Sequence, residues 1–88
     1  MIKKEFGIFN KVGLHARPAA LFVQTASKFK SEISIEKGNK KVNGKSIMGV
    51  LTLGASSGDK VTIIIDGSDE DEAIKVIEEF FNKKLKNL

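Results

Sequence analysis

The sequence predicts an α+β fold: an open-faced two-layer sandwich with a four-stranded antiparallel sheet carrying three helices on one face. Three observations predict it. Apolar residues recur with a period of two in some stretches and near 3.6 in others. The stretches follow the order β-α-β-β-α-β-α, and glycine, asparagine or aspartate marks most junctions.

Ile2, Phe6 and Ile8 alternate with Lys3, Glu5 and Gly7, so residues 2–8 read as a half-buried strand that Lys4 interrupts. From Ala16 to Phe29, the positions Ala19, Phe22, Val23, Ala26 and Phe29 form one stripe of a helix, with Arg17, Gln24 and Lys28 off it. Ile33 and Ile35 alternate with polar neighbours, and Gly38-Asn39 separates them from Lys40 to Asn43, the spacing of a hairpin. Ile47, Val50 and Leu51 stand at helical offsets between Ser46 and Leu53, before a closing Gly54. Val61 to Ile65 is a β-branched run that predicts a central strand covered on both faces.

The last helix has the fullest signature. Ser68 is available as its cap, Asp69 to Glu72 place acids in the first turn, and Lys83, Lys84 and Lys86 crowd the last. Ala73, Ile74, Ile77, Phe80, Phe81 and Leu85 form its apolar stripe.

At 88 residues the chain reads as one domain, 1–88, since two would each be too small to bury an adequate core. The absence of cysteine excludes disulfides, thiol catalysis and thiolate-bound zinc, and suits a reducing cytosol. Charges interleave with apolar residues in MIKKEFGIF, and no apolar run approaches the roughly 18 residues of a membrane span. A soluble, cytoplasmic protein with no direct membrane insertion is expected, with monomer the favoured state. Net charge is +4, but Arg17 is the only arginine and Trp and Tyr are absent, which disfavours nucleic acid as a partner. Acidic protein surfaces fit better.

Gly13-Leu14-His15-Ala16-Arg17-Pro18-Ala19 contains the only histidine, arginine and proline of the chain. Proline favours a helix's first turn, which places the helix start near residue 16 and His15 at or just before its N-terminus. The backbone N–H groups of Ala16 and Arg17 then form a phosphate-binding site. Arg17 adds a guanidinium fork that can hold phosphate oxygens in pairs. Singly, each residue has a plain explanation: a solvated cap, a surface charge, a helix starter. Together they point to an imidazole that attacks phosphorus. Gly13 and Ala20 are small enough for a partner's active site to approach.

Ser46, at the start of the second helix, reads first as an N-cap, and a phosphorylation site is compatible with that, because phosphate is tolerated at a helix N-terminus. Ile47, Met48 and Leu51 share a helix too short to bury them all. They are either core or an apolar docking patch.

These motifs resemble HPr, the histidine phosphocarrier family of the bacterial phosphoenolpyruvate-dependent sugar phosphotransferase system. The resemblance rests on Gly-Leu-His-Ala-Arg-Pro-Ala at 13–19 and on Lys-Ser-Ile-Met-Gly at 45–49, the latter similar to the Gram-positive type with a regulatory serine. It implies that His15 takes a phosphoryl group on Nδ1, the pros nitrogen, from Enzyme I, that Arg17 assists, and that sugar-specific IIA components receive it. It also implies phosphorylation of Ser46 by HPr kinase/phosphorylase, promoting binding to a catabolite-repression transcription regulator. Ala20, Ile47, Met48 and Leu51 would be the docking surface. The family implies no cofactor or metal, and a carrier in place of a turnover enzyme. Catalytically silent relatives lack the histidine.

Two other readings share the predicted fold. A small phosphatase such as an acylphosphatase would need a residue that orients water, for which Asn10 is the nearest candidate. An RNA-binding sandwich would need several phosphate contacts and hence steep salt dependence.

Overall fold

Period-two alternation builds the sheet. The computed structural model describes residues 1–88, with β1 (Ile2–Gly7), β2 (Glu32–Lys37), β3 (Lys40–Asn43) and β4 (Lys60–Asp66) in the order β1-β4-β2-β3, every neighbour antiparallel. Phe6 pairs with Val61, Ile35 with Ile63 and Ile33 with Ile65, placing these buried side chains on one face. At the β2–β3 hairpin, Lys37 pairs with Lys40 across a two-residue loop. Gly38 there has φ +58 and Asn39 does not have positive φ, the pattern of a type II′ turn.

The helices α1 (Ala16–Ala26), α2 (Ile47–Leu53) and α3 (Glu70–Glu79) cover that face, and the element order matches the sequence reading. One expectation fails. β4 is central, but Thr62 and Ile64 remain half-exposed because its outer face has no helix upon it.

Two helix ends also differ from expectation. α1 stops at Ala26, three residues before Phe29, as Lys28 and Phe29 donate to the carbonyls of Thr25 and Ala26 in tightened turns. The Nζ of Lys45 then binds the Phe29 carbonyl at 2.6 Å. At α3 the cap position is Asp69 and not Ser68, and the Asp69 side chain makes no capping bond. Its carboxylate instead reaches the α1–β2 connection, accepting from the Ser31 hydroxyl, the Ser31 N–H at 3.0 Å and the Lys30 N–H at 2.8 Å. Glu70 takes over the role of reaching back, accepting the Gly67 N–H at 3.1 Å.

Beyond Glu79 the chain continues through a π-helical turn at Phe80–Lys84 and a single 3₁₀ turn at Leu85–Asn87, so the lysines follow α3 proper. The predicted stripe survives intact: Ala73, Ile74, Ile77, Phe80, Phe81 and Leu85 are all buried. Phe81 stacks on Phe6 with centroids 4.6 Å apart, while Phe22 meets the Phe80 and Phe81 rings at 5.6 and 5.9 Å. This cluster joins β1, α1 and the end of α3, and such ring pairs add to the area they bury.

Truncation of Phe22 to Ala leaves a cavity at that junction, and unfolding in urea will show a loss of about 3–5 kcal/mol. The Ser31 hydroxyl, with the Lys30 and Ser31 amides, lowers the Asp69 pKa from 3.8 to about 2. A depressed folded-state value stabilises the native protein above the unfolded value, and the contribution disappears as pH falls through the folded one. The stability advantage of the native protein over Asp69→Asn will therefore be constant above about pH 5 and shrink between roughly pH 4 and 2.

Candidate functional site

The loop between β1 and α1 is fastened to the α2–β4 connection. At its start, Ile8 donates to the Asp59 carbonyl at 2.9 Å and accepts from the Gly58 N–H at 2.6 Å. At its end, Leu14 donates to the Ala55 carbonyl at 2.9 Å with its side chain fully buried. Gly13 lies against the same segment at φ +68, and a Cβ there would fall 2.5 Å from the Ala55 oxygen and 2.7 Å from the Ser56 Cα. Only glycine meets both demands. Asn10, buried, donates from Nδ2 to the Gly13 carbonyl at 3.1 Å, while its Oδ1 has no hydrogen-bond partner.

The supporting segment is braced in turn. Lys37 Nζ reaches the Asp59 carboxylate at 3.0 Å and the Gly54 carbonyl at 2.9 Å, and Asp59 accepts the Ser56 N–H at 2.8 Å. The Ser56 amide and then the Lys37 ammonium lower the Asp59 pKa. Asp59 therefore stays ionised.

On this base the chain delivers His15 to the N-cap of α1 with extended backbone, φ −124 and ψ 162. Its half-buried side chain makes no capping bond and takes part in no salt bridge. Ala16 follows at φ +48, a left-handed conformation that strains a residue with a Cβ. Pro18 and Ala19 are buried, and Ala16 and Arg17 are exposed. The N–H groups of Ala16 and Arg17 precede the first possible intrahelical acceptor. No acid stands in the first turn of α1, and Arg17 takes part in no salt bridge. An imidazole, two amides and an unpaired guanidinium thus share one helix end, an arrangement able to attack and hold an anionic group. No cluster of three or more His, Asp or Glu is arranged to hold a metal.

Ser46 is the N-cap of α2, its Oγ accepting the Gly49 N–H at 3.1 Å. It is not part of the His15 constellation. Leu14 meets Ala55, just past the end of α2, whereas Gly44, just before its start, lies beside Phe22 of α1. The two helices therefore run in opposite senses, with His15 and Ser46 near opposite ends of α2. Along that helix Val50 and Leu53 are buried, while Ile47 and Met48 are 39% and 66% exposed. Leu51 and, on α1, Ala20 are half-buried.

Sequence reasoning missed Phe9 and Val12, which are 73% and 50% exposed in the loop before His15. Their only sequence signal is that both fall after the β1 alternation ends. The Phe9 ring covers Gly7, where a Cβ would come within 2.5 Å of it.

The family described as the PTS HPr component phosphorylation site matches residues 2–83. The HPr-like protein Crh of Halalkalibacterium halodurans is 51% identical over 84 residues, covering 96% of this chain and all of that one. The structure resembles the crystal structure of HPr-C-His from Thermoanaerobacter tengcongensis at a TM-score of 0.93 and 56% identity, covering 97% and 96% of the two chains. The crystal structure of Bacillus subtilis Crh, a dimer with a swapped domain, matches at 0.75 and 45% identity over 96% and 97%. Dimers thus occur among relatives of this chain, and the monomer favoured from the sequence does not follow from the resemblance. A family match over nearly the whole length and relatives above 50% identity agree with the fold: the chain belongs to the HPr family of phosphocarrier proteins.

Proposed function

We propose that this chain carries phosphoryl groups in a phosphoenolpyruvate-dependent sugar phosphotransferase system, accepting them on His15 from Enzyme I and passing them to sugar-specific IIA components. The observation that carries the reading is His15 at the N-cap of α1, its side chain in no capping bond or salt bridge, with Arg17 two residues on and likewise in no salt bridge. In the acceptance step the Nδ1 lone pair attacks phosphorus, and the bond from phosphorus to the donor breaks with its electron pair leaving on the donor. The Ala16 and Arg17 amides and the Arg17 guanidinium meet the arriving oxygens. The step reverses when an acceptor nucleophile approaches. The chain acts as a shuttle between partners and not as a turnover enzyme.

Exposed Ile47 and Met48, with Leu51 and Ala20 beside them, supply an apolar surface for docking those partners. No helix is long and apolar enough to cross a membrane, which fits a relay working in the cytoplasm. The single chain closes its own core without a second copy, supporting a monomer as the transferring form.

A second, regulatory role is favoured by the 51% identity to Crh. Here Ser46 receives phosphate from ATP through HPr kinase/phosphorylase, and the modified surface binds a catabolite-repression regulator. The serine's place as N-cap supports this, since added negative charge at a helix N-terminus leaves the helix intact. The same charge lies beside the docking residues and opposes the relay.

The His15 side chain makes no cap bond, so His15→Ala will keep its stability within about 0.5 kcal/mol. Radiolabel from phosphoenolpyruvate and Enzyme I will nevertheless be lost entirely, and full labelling of the variant would refute the assignment. Ser46→Asp will slow acceptance without abolishing it. A wild-type rate in that variant would remove the regulatory reading.

A further inference from the structure

Asn10 is a buried amide that the transfer chemistry does not use. Its Nδ2 donates to the Gly13 carbonyl at 3.1 Å, and its Oδ1 is left without a partner in the interior. No other protein group pairs with it, so the bond to Gly13 is the one that the Asn10 side chain makes within the chain. The apolar isostere, Leu, would remove that unpaired atom but could not hold the Gly13 carbonyl.

That carbonyl lies at the last bend before the reactive residue. Gly13 is pressed against Ala55 and Ser56, Leu14 hangs from the Ala55 carbonyl, and His15 comes next. The Asn10 bond spans residues 10–13 and closes the bend from the inside. The exposed neighbours Phe9, Lys11 and Val12 offer no buried packing in its place.

We propose that Asn10 is a positioning residue for His15: its amide fixes the bend at Gly13, and thereby the direction from which the imidazole meets phosphorus. This rests on the phosphocarrier reading above. Asn10 touches no reacting atom and acts only through the Gly13–Leu14 backbone, so it differs from a residue that orients a hydrolytic water.

The test compares wild type, Asn10→Leu and Asn10→Ala in steady-state phosphoryl acceptance from phosphorylated Enzyme I, together with amide hydrogen exchange. With Enzyme I as catalyst and Asn10→Leu as the varied acceptor, kcat will fall about tenfold or more while KM for the acceptor stays within about twofold, because misplacing a reacting group slows the step without altering the docking surface. The Leu14 amide will lose exchange protection while that of Ile63 in the central strand keeps it. The thermal midpoint will shift by no more than about 5 °C, since the variant loses one bond and one unpaired acceptor together. Asn10→Ala, which removes the same bond without adding bulk, will give the same kcat loss, and a loss confined to Asn10→Leu would overturn the proposal. Wild-type kcat in a folded variant, or a rise in KM alone, would overturn the proposal. Failure of the wild-type protein to accept phosphate would instead defeat the phosphocarrier reading, so the two outcomes are distinct.

Discussion

The contact between Gly13-Leu14 and Ala55-Ser56 is the constraint on which the site depends. It brings together two loops some forty residues apart in sequence, and the helix that starts at Ala16 takes its position from it. Without a side chain at Gly13 the loops close to van der Waals distance. With the Leu14 side chain fully buried and its amide bonded to Ala55, His15 has little freedom except at its own side chain. The backbone is thus fixed in advance, and only the side-chain rotation remains to be set when the imidazole meets a partner.

The rest of the molecule makes that contact durable. The Lys37–Asp59 pair and the Lys37 bond to Gly54 hold the supporting segment to the end of β2. The phenylalanine cluster holds α1 against β1 and the end of α3, so the helix whose N-terminus faces the solvent is fixed along its opposite side. Asp69 ties the far end of α1, through Lys30 and Ser31, to the start of α3. Burial of one helix face and exposure of its first turn are thus two aspects of the same packing. The left-handed Ala16 is the local strain that this packing sustains.

Much of this was legible in the sequence, for physical reasons that can be named. Alternation in β1, β2 and β4 and the stripe from Ala73 to Leu85 gave the element order, because burial of one face imposes a period on the chain. Pro18 located the start of α1, and the singleton His15 and Arg17 beside it located the candidate site. The Ser46 cap was legible too, since its bond to Gly49 spans three residues. What the sequence did not reveal depends on distant partners. Phe29 fell outside α1 and Asp69 displaced Ser68 because Lys45 and Ser31 compete for those segments from elsewhere in the fold. The open outer face of Ile64 depends on which side the helices choose, and the exposure of Phe9 and Val12 on where the loop is fastened.

Spectroscopy of the phosphorylated protein tests the central claim most directly. Uniformly ¹⁵N-labelled protein, treated with phosphoenolpyruvate and Enzyme I, is followed by imidazole-nitrogen and backbone-amide resonances. A phosphoryl group held at the start of α1 predicts a large shift at Nδ1 of His15 and at the Ala16 and Arg17 amides, with the strand resonances of Ile63 and Ile65 unmoved. Phosphate appearing on another residue, or on His15 with the Ala16 and Arg17 amides unchanged, would contradict the account.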